Sequence, residues 1–259
     1  MRIREITSLS NPAMKKFMLV LTGRGIKKHN LAFISGPKQV SEVLQDFPSK
    51  CYGIICRGRE AIDIKVPEDA TIYRLSSELF KRLDLYGTGF PLLLVRVDPL
   101  KNWDDADWPT GCTLFVPFQD PSNVGAVIRT AVAFGVSRAV FLKEAAHPFH
   151  HRSVRVAGPA IFRIPLFQGP SLNELAQVKG RLLALKQGQG KNIAKYRFPR
   201  TFGLVPGLEG PGLPDNLKHL EALNIPIEPS VESLNAAMAV GIVLYEWRRG
   251  KNKKTQKAS

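Results

Sequence analysis

At 259 residues, 44% of them hydrophobic, the chain can bury one large or two ordinary cores. Its 37 Lys plus Arg against 22 Asp plus Glu leave a net charge of +15, which favours a polyanionic partner through counterion release and steering. Cys51, Cys56 and Cys112 are too few and unpatterned for a disulfide scaffold, no apolar run is long enough to span a membrane, and Met1-Arg-Ile-Arg-Glu5 lacks a signal-peptide core, so a reduced, cytoplasmic protein is expected.

In chain order, apolar spacing predicts a helix around Pro12–Leu21, a strand Ala32–Ser35, a helix Val40–Asp46, a strand Tyr52–Cys56, a helix Ser76–Leu83 and a strand Pro91–Val97. The polar, acidic stretch from Pro99 to Gly111 reads as a linker over 99–110, separating a first domain, 1–98, from a second, 111–249. There follow a strand over 112–118, a helix over 123–134, a strand Arg138–Leu142, a helix Ser171–Val178, strands Arg181–Lys186 and Thr201–Val205, and a long helix Val231–Trp247. Strands alternating with helices predict parallel α/β sheets in both halves. Residues 250–259 form a basic tail; from 248 onward come Arg248, Arg249, Lys251, Lys253, Lys254 and Lys257 with no acid.

The run Asp120-Pro-Ser-Asn-Val-Gly-Ala-Val-Ile-Arg129-Thr-Ala-Val-Ala-Phe-Gly135 places a turn, a helix start and one arginine on an otherwise apolar helix. Ser122 or Asn123 can cap it and Gly135 can end it. Residues 122, 125 and 129 share a face, so Gly125 opens space before a guanidinium on the buried side. An arginine there must meet an anion or a carboxylate, and a phosphate suits a helix start. Two loops follow later strands. Gly207-Leu-Glu-Gly-Pro-Gly-Leu-Pro214 gathers three glycines around Glu209, and Ile225-Pro-Ile-Glu-Pro-Ser230 feeds the last helix. Both fall beyond strand carboxyl ends, where open α/β sheets bind ligands, and glycine admits close backbone approach. His147, His150 and His151 lack the companions of a zinc site, so no metal is expected; with Arg152 and Arg155 they read as a basic loop.

Three segments in order resemble the SpoU/TrmH family of RNA ribose 2′-O-methyltransferases, of the SPOUT class. They are Asn123-Val-Gly-Ala-Val-Ile-Arg129-Thr-Ala with Phe134-Gly135; Gly207-Leu-Glu209-Gly-Pro-Gly-Leu213; and Ile225-Pro-Ile227 with Val231-Glu-Ser233-Leu-Asn235-Ala-Ala-Met-Ala239. Ile6 to Asn11 with Lys15-Lys16, and Ile34-Ser-Gly36 with Val40 to Leu44, are similar to the family's substrate-binding domain. The resemblance implies an α/β fold with a knotted C-terminal SPOUT methyltransferase domain on a parallel sheet, plus a smaller, ribosomal-protein-like α/β domain that binds RNA. It further implies S-adenosylmethionine as cofactor, ribosomal RNA as the favoured substrate over transfer RNA, and a homodimer through the C-terminal domain. By motif position, Arg129, Asn123, Glu209, Ser233 and Asn235 would be catalytic. Gly207, Ile225 and Leu234, with Leu185 and Ile227, would hold the cofactor. Arg155 keeps the arginine of a further family pattern whose serine is here Ala157. The last helix, apolar nearly all round from Leu234 to Trp247, is expected to be enclosed on every side. The alternatives are a transfer-RNA 2′-O-methyltransferase, a non-catalytic RNA-binding protein on the same scaffold, and an unrelated nucleotide-binding α/β enzyme.

Overall fold

The protein is described by a computed structural model over residues 2–59, 64–208 and 212–256, with side chains as far as 250. It divides into two compact units: Met1–Pro99 with His147–Phe162, and Leu100–Ala146 with Arg163–Ser259.

The first unit runs β1 (Arg2–Ile6), α1 (Pro12–Val20), α2 (Gly23–His29), β2 (Leu31–Ile34), α3 (Pro37–Asp46), β3 (Cys51–Arg57), β4 (Thr71–Leu75), α4 (Ser77–Leu83) and β5 (Leu92–Arg96). Polar side chains start three of these helices: Asn11 accepts from Ala13 N, Thr22 from Gly25 N and Ser76 from Leu79 N. The sheet order is β1-β4-β3-β5-β2. Strands β1, β4 and β3 run parallel, whereas β5 is antiparallel to both β3 and β2. The expected all-parallel sheet is therefore wrong for this half. After β4 and the 7-residue α4 the chain does not cross back to run parallel to β3. The chain instead turns through Gly87 and Gly89, at φ +59° and +64°.

The second unit opens with β6 (Lys101–Asn102), β7 (Gly111–Val116), α5 (Pro121–Ala133) and β8 (Arg138–Phe141). Helix α6 (His151–Ala157), absent from the sequence expectation, then packs with the first unit. The second unit resumes with β9 (Leu166–Gln168), β10 (Leu182–Leu185), β11 (Lys191–Asn192), β12 (Thr201–Val205), β13 (Glu221–Asn224) and α7 (Ala236–Gln256). Its eight strands lie in the order β11-β13-β10-β12-β7-β8-β9-β6, and every pairing among the described residues is parallel, as expected for this half.

Three local expectations need correction. Ser171–Val178 forms only a 3-10 turn, Asn173–Gln177. The 99–110 stretch is no loose linker: β6 extends the second sheet, and Trp103 and Trp108 place their rings 5.0 and 6.2 Å from that of Phe115. Helix α7 begins at Ala236 rather than Val231 and continues to Gln256, through most of the expected tail. It buries Val240, Val243, Leu244 and Trp247 but leaves Met238 and Tyr245 exposed at 64% and 53%, so it is not enclosed on every side.

Phe115 is fully buried among Val140, Leu142, Leu172, Leu182 and Val205. Phe115→Ala should cost about 3–5 kcal/mol of stability, measurable by denaturant unfolding. In the first unit, burial, aided by Lys27 and His150, holds His147 down to about 4; burial, then His150 and Arg152, does the same for His151. Both folded values lie below the ordinary 6.5, so the stability they contribute is complete above that pH and is lost as pH falls toward 4. Thermal melting should weaken over that interval, and His147→Phe should flatten part of the decline.

Candidate active site

Helix α5 is capped by Asp120, whose Oδ1 accepts from Ser122 N at 3.0 Å, so the cap lies two or three residues before the expected Ser122 or Asn123. Proline at the first helical position displaces the cap to the residue before it. Gly135 ends the helix as expected, at φ +70° with its N–H on Val132 O. Gly125 is buried and Arg129 exposed, so the arginine does not lie on the helix's buried side. Solvent removes the need for a pairing carboxylate, and Arg129 makes no ion pair or hydrogen bond among the described residues.

Beyond the carboxyl ends of β10, β12 and β13 lies a cavity of about 730 Å³. Its wall includes Asn123, Leu185, Gly207, Ile225, Ser233, Leu234 and Asn235. These residues come from all three motifs. A Cβ on Gly207 would stand 2.9 Å from the backbone of Gly212, across the Leu208–Gly212 bridge, so this turn takes no larger residue without moving. Neither Ile227, half-buried, nor Arg129, exposed, belongs to the wall. Glu209 lies outside the described residues. Sequence reasoning missed Lys186, Gln187, Leu208, Leu223 and Glu232, which also line the cavity; their one signal was position, at strand ends or inside the second and third motifs.

The start of α7 fixes the polar edge. Asn235 Oδ1 accepts from Ala237 N at 3.0 Å and Met238 N at 3.2 Å, so Asn235 caps the helix instead of lying within its first turn. Backbone N–H groups only donate, which settles the Asn235 amide: oxygen toward the helix, nitrogen away. Its Nδ2 donates to Asn123 Oδ1 at 3.0 Å, and that in turn settles the amide of Asn123. Ser233 lies exposed just upstream, in the wall.

The histidines have local roles among the described residues. His147 Nδ1 accepts from Phe149 N, His150 Nδ1 accepts from Arg152 N at the start of α6, and His151 Nδ1 lies 3.0 Å from the Tyr86 hydroxyl. Arg155 stacks its guanidinium 4.7 Å from the Tyr86 ring centroid.

Residues 113–245 match the SpoU rRNA Methylase family. The chain belongs to that family. It is 45% identical over 251 residues to ribosomal RNA small subunit methyltransferase G 2 of Syntrophobacter fumaroxidans, covering 95% of this chain but 49% of that protein, so the chain spans about half of that relative's length. A Bacillus subtilis relative, 23S rRNA (guanosine(2553)-2′-O)-methyltransferase RlmP, is 27% identical over 95% of this chain and 100% of its own. The fold is similar to that of an AdoMet-bound rRNA methyltransferase from Sinorhizobium meliloti, with a TM-score of 0.77 at 21% identity over 95% of this chain and 98% of that one.

Substitutions at residue 235 separate capping from the bond to Asn123. Asn235→Ala should cost about 1 kcal/mol through the lost cap. Asn235→Asp keeps the cap and should melt like the wild type, yet it has no donor for Asn123 Oδ1. Thermal melts beside methyl-transfer assays should therefore show slowed turnover in Asn235→Asp without lost stability.

Proposed function

We propose that the chain is an S-adenosylmethionine-dependent methyltransferase acting on a ribose 2′-hydroxyl of ribosomal RNA. The observation that carries this is the convergence of three motifs, separated in sequence, on one cavity at the sheet's carboxyl edge. The names of the Syntrophobacter and Bacillus relatives both give ribosomal RNA, and the Bacillus name gives the 2′-oxygen.

The cavity suits the cofactor. Its volume is that of a nucleoside-sized site, Leu185, Leu208, Leu223, Ile225 and Leu234 offer an apolar floor, and the Gly207 turn offers unobstructed backbone. Gly207, Ile225, Leu234 and Leu185 would hold it, with Ile227 behind them. When bound, this sulfonium supplies an activated methyl group.

The chain's own task is to place a 2′-hydroxyl in line and ease loss of its proton. Asn123, with its amide set by Asn235, gives a fixed polar group at the cavity rim. Ser233 and the start of α7 lie on the same rim and would meet the substrate ribose or phosphate. Glu209, in the second motif, would hold Arg129 or Asn123.

Arg129 cannot be a free base, since its pKa exceeds about 12. It would act together with the RNA phosphate beside the hydroxyl, which shares the proton, while the guanidinium stabilises the forming alkoxide. Its exposure fits a site completed by a second copy of the chain. The bare Met238 and Tyr245 on α7 support a homodimer through this unit. The knotted C-terminal path is supported by the strand order, in which β10, β12 and β13 lie on the opposite side of β7 from β8 and β9. The first unit would bind RNA. Among the described residues no helix is long and apolar enough to cross a membrane, and a ribosomal-RNA substrate supports a cytoplasmic site of action.

Incubation with methyl-labelled S-adenosylmethionine and total RNA should label ribosomal RNA at a ribose oxygen. No transfer to any RNA, with the cofactor still bound, would favour a non-catalytic binder. Arg129→Ala should lower transfer about 100-fold or more. Its melting and cofactor affinity should stay near wild type, since exposed substitutions usually change stability by less than about 0.5 kcal/mol.

A further inference from the structure

A cationic cluster surrounds Tyr52 in the first unit. Between Cys51 and Gly53 the register of β3 against β5 shifts, leaving Tyr52 as the extra residue of a β-bulge. Such bulges re-aim a side chain out of the regular pleat. The phenol hydroxyl meets Lys16 Nζ at 3.0 Å, and that ammonium lies 4.8 Å from the ring centroid. Arg96 Cζ is 5.4 Å from the same centroid, and its guanidinium donates to the carbonyl of Cys51. Arg4, on the edge strand β1, pairs with Tyr73 of β4 and acts electrostatically on both Tyr73 and Tyr52. Three cations from α1, β5 and β1 are thus gathered around one half-buried ring.

None of the three is ion-paired among the described residues. Asp98 binds Lys50 at 2.6 Å, and Asp69, which like Arg96 acts on the Cys51 thiol, forms no ion pair with Lys16, Arg96 or Arg4 among the described residues. Like charges brought together without a carboxylate repel unless an anion joins them. Cation–π contacts hold the charges in place, and those same contacts occupy the ring, so the patch presents charge rather than a stacking platform.

We infer that Lys16, Arg96 and Arg4, organised by Tyr52, form a phosphate-binding patch for the RNA backbone, separate from the methyl-transfer cavity. The occupant is a phosphodiester, because the patch offers only donors and positive charge. It positions the RNA without reading its sequence. The inference rests on RNA being the substrate.

The test uses the full chain and two fluorescein-labelled RNAs, a 20-nucleotide oligouridylate and a 20-base-pair duplex. Anisotropy is measured across salt concentrations, with the more tightly held RNA taken as probe. Lys16→Ala/Arg96→Ala should bind roughly 30-fold more weakly at 0.1 M salt, and the slope of log affinity against log salt should fall by roughly 1.5, the value for two phosphate contacts. Arg4→Ala, on an exposed edge, cannot disturb the core and should lose roughly 6-fold and about 0.8 of slope. Cofactor affinity should hold in both. The control is Lys38→Ala/Arg82→Ala, which removes cations already facing Glu42 and Glu78 and should leave the slope nearly unchanged. An unchanged slope in the Lys16/Arg96 variant, or a loss matched by the control, overturns the patch. If RNA methylation by the wild type persists in that case, the proposed function stands. A wild type that binds neither RNA overturns both.

Discussion

The hydrogen bond from Asn235 to Asn123 is the constraint on which the site depends. It spans 112 residues of sequence and joins the first motif to the third. Its direction is set from outside, because the backbone at the start of α7 accepts no alternative orientation of Asn235. One capping residue thereby fixes a helix start, the rim of a cavity and the amide of a second asparagine. An isolated amide would rotate between two orientations of similar energy. Tying it to immovable donors removes that freedom before any ligand arrives, which is the form of preorganisation that favours a transition state over a ground state.

The parallel sheet makes this arrangement possible. Each parallel strand releases the chain at the same edge, so the turns after β10, β12 and β13, and the start of α5 after β7, gather there without a dedicated scaffold. Strands β12 and β7 are neighbours even though the paired Cys112 and Phe202 lie 90 residues apart in sequence. The first unit follows another logic: its mixed sheet presents a cluster of cations rather than a cavity rim.

Much of this was legible in the sequence. Strands β2, β3, β5, β10 and β12 announce themselves as apolar runs between turn residues. The three motifs name most of the cavity wall because glycine, proline and asparagine each solve a backbone problem there. What escaped was short or governed by partners. β1 buries only Ile6, and β6, β9 and β13 take their form from neighbouring strands rather than from their own pattern. The acidic composition of 99–110 suggested solvent exposure, yet Trp103 and Trp108 dominate its packing. The antiparallel direction of β5 is not written in the alternation of strands and helices. The outward turn of Arg129 could not be read from face periodicity, since helical spacing groups residues on a face without saying which face is covered.

The packing of His147–Phe162 with the first unit means that the chain passes from one unit to the other after residues 99, 146 and 162. Scission at the single seam suggested by composition would orphan a helix from the fragment that needs it. The two units are therefore interleaved along the chain, and a fragment ending near residue 99 would lack the 147–162 segment of its own unit.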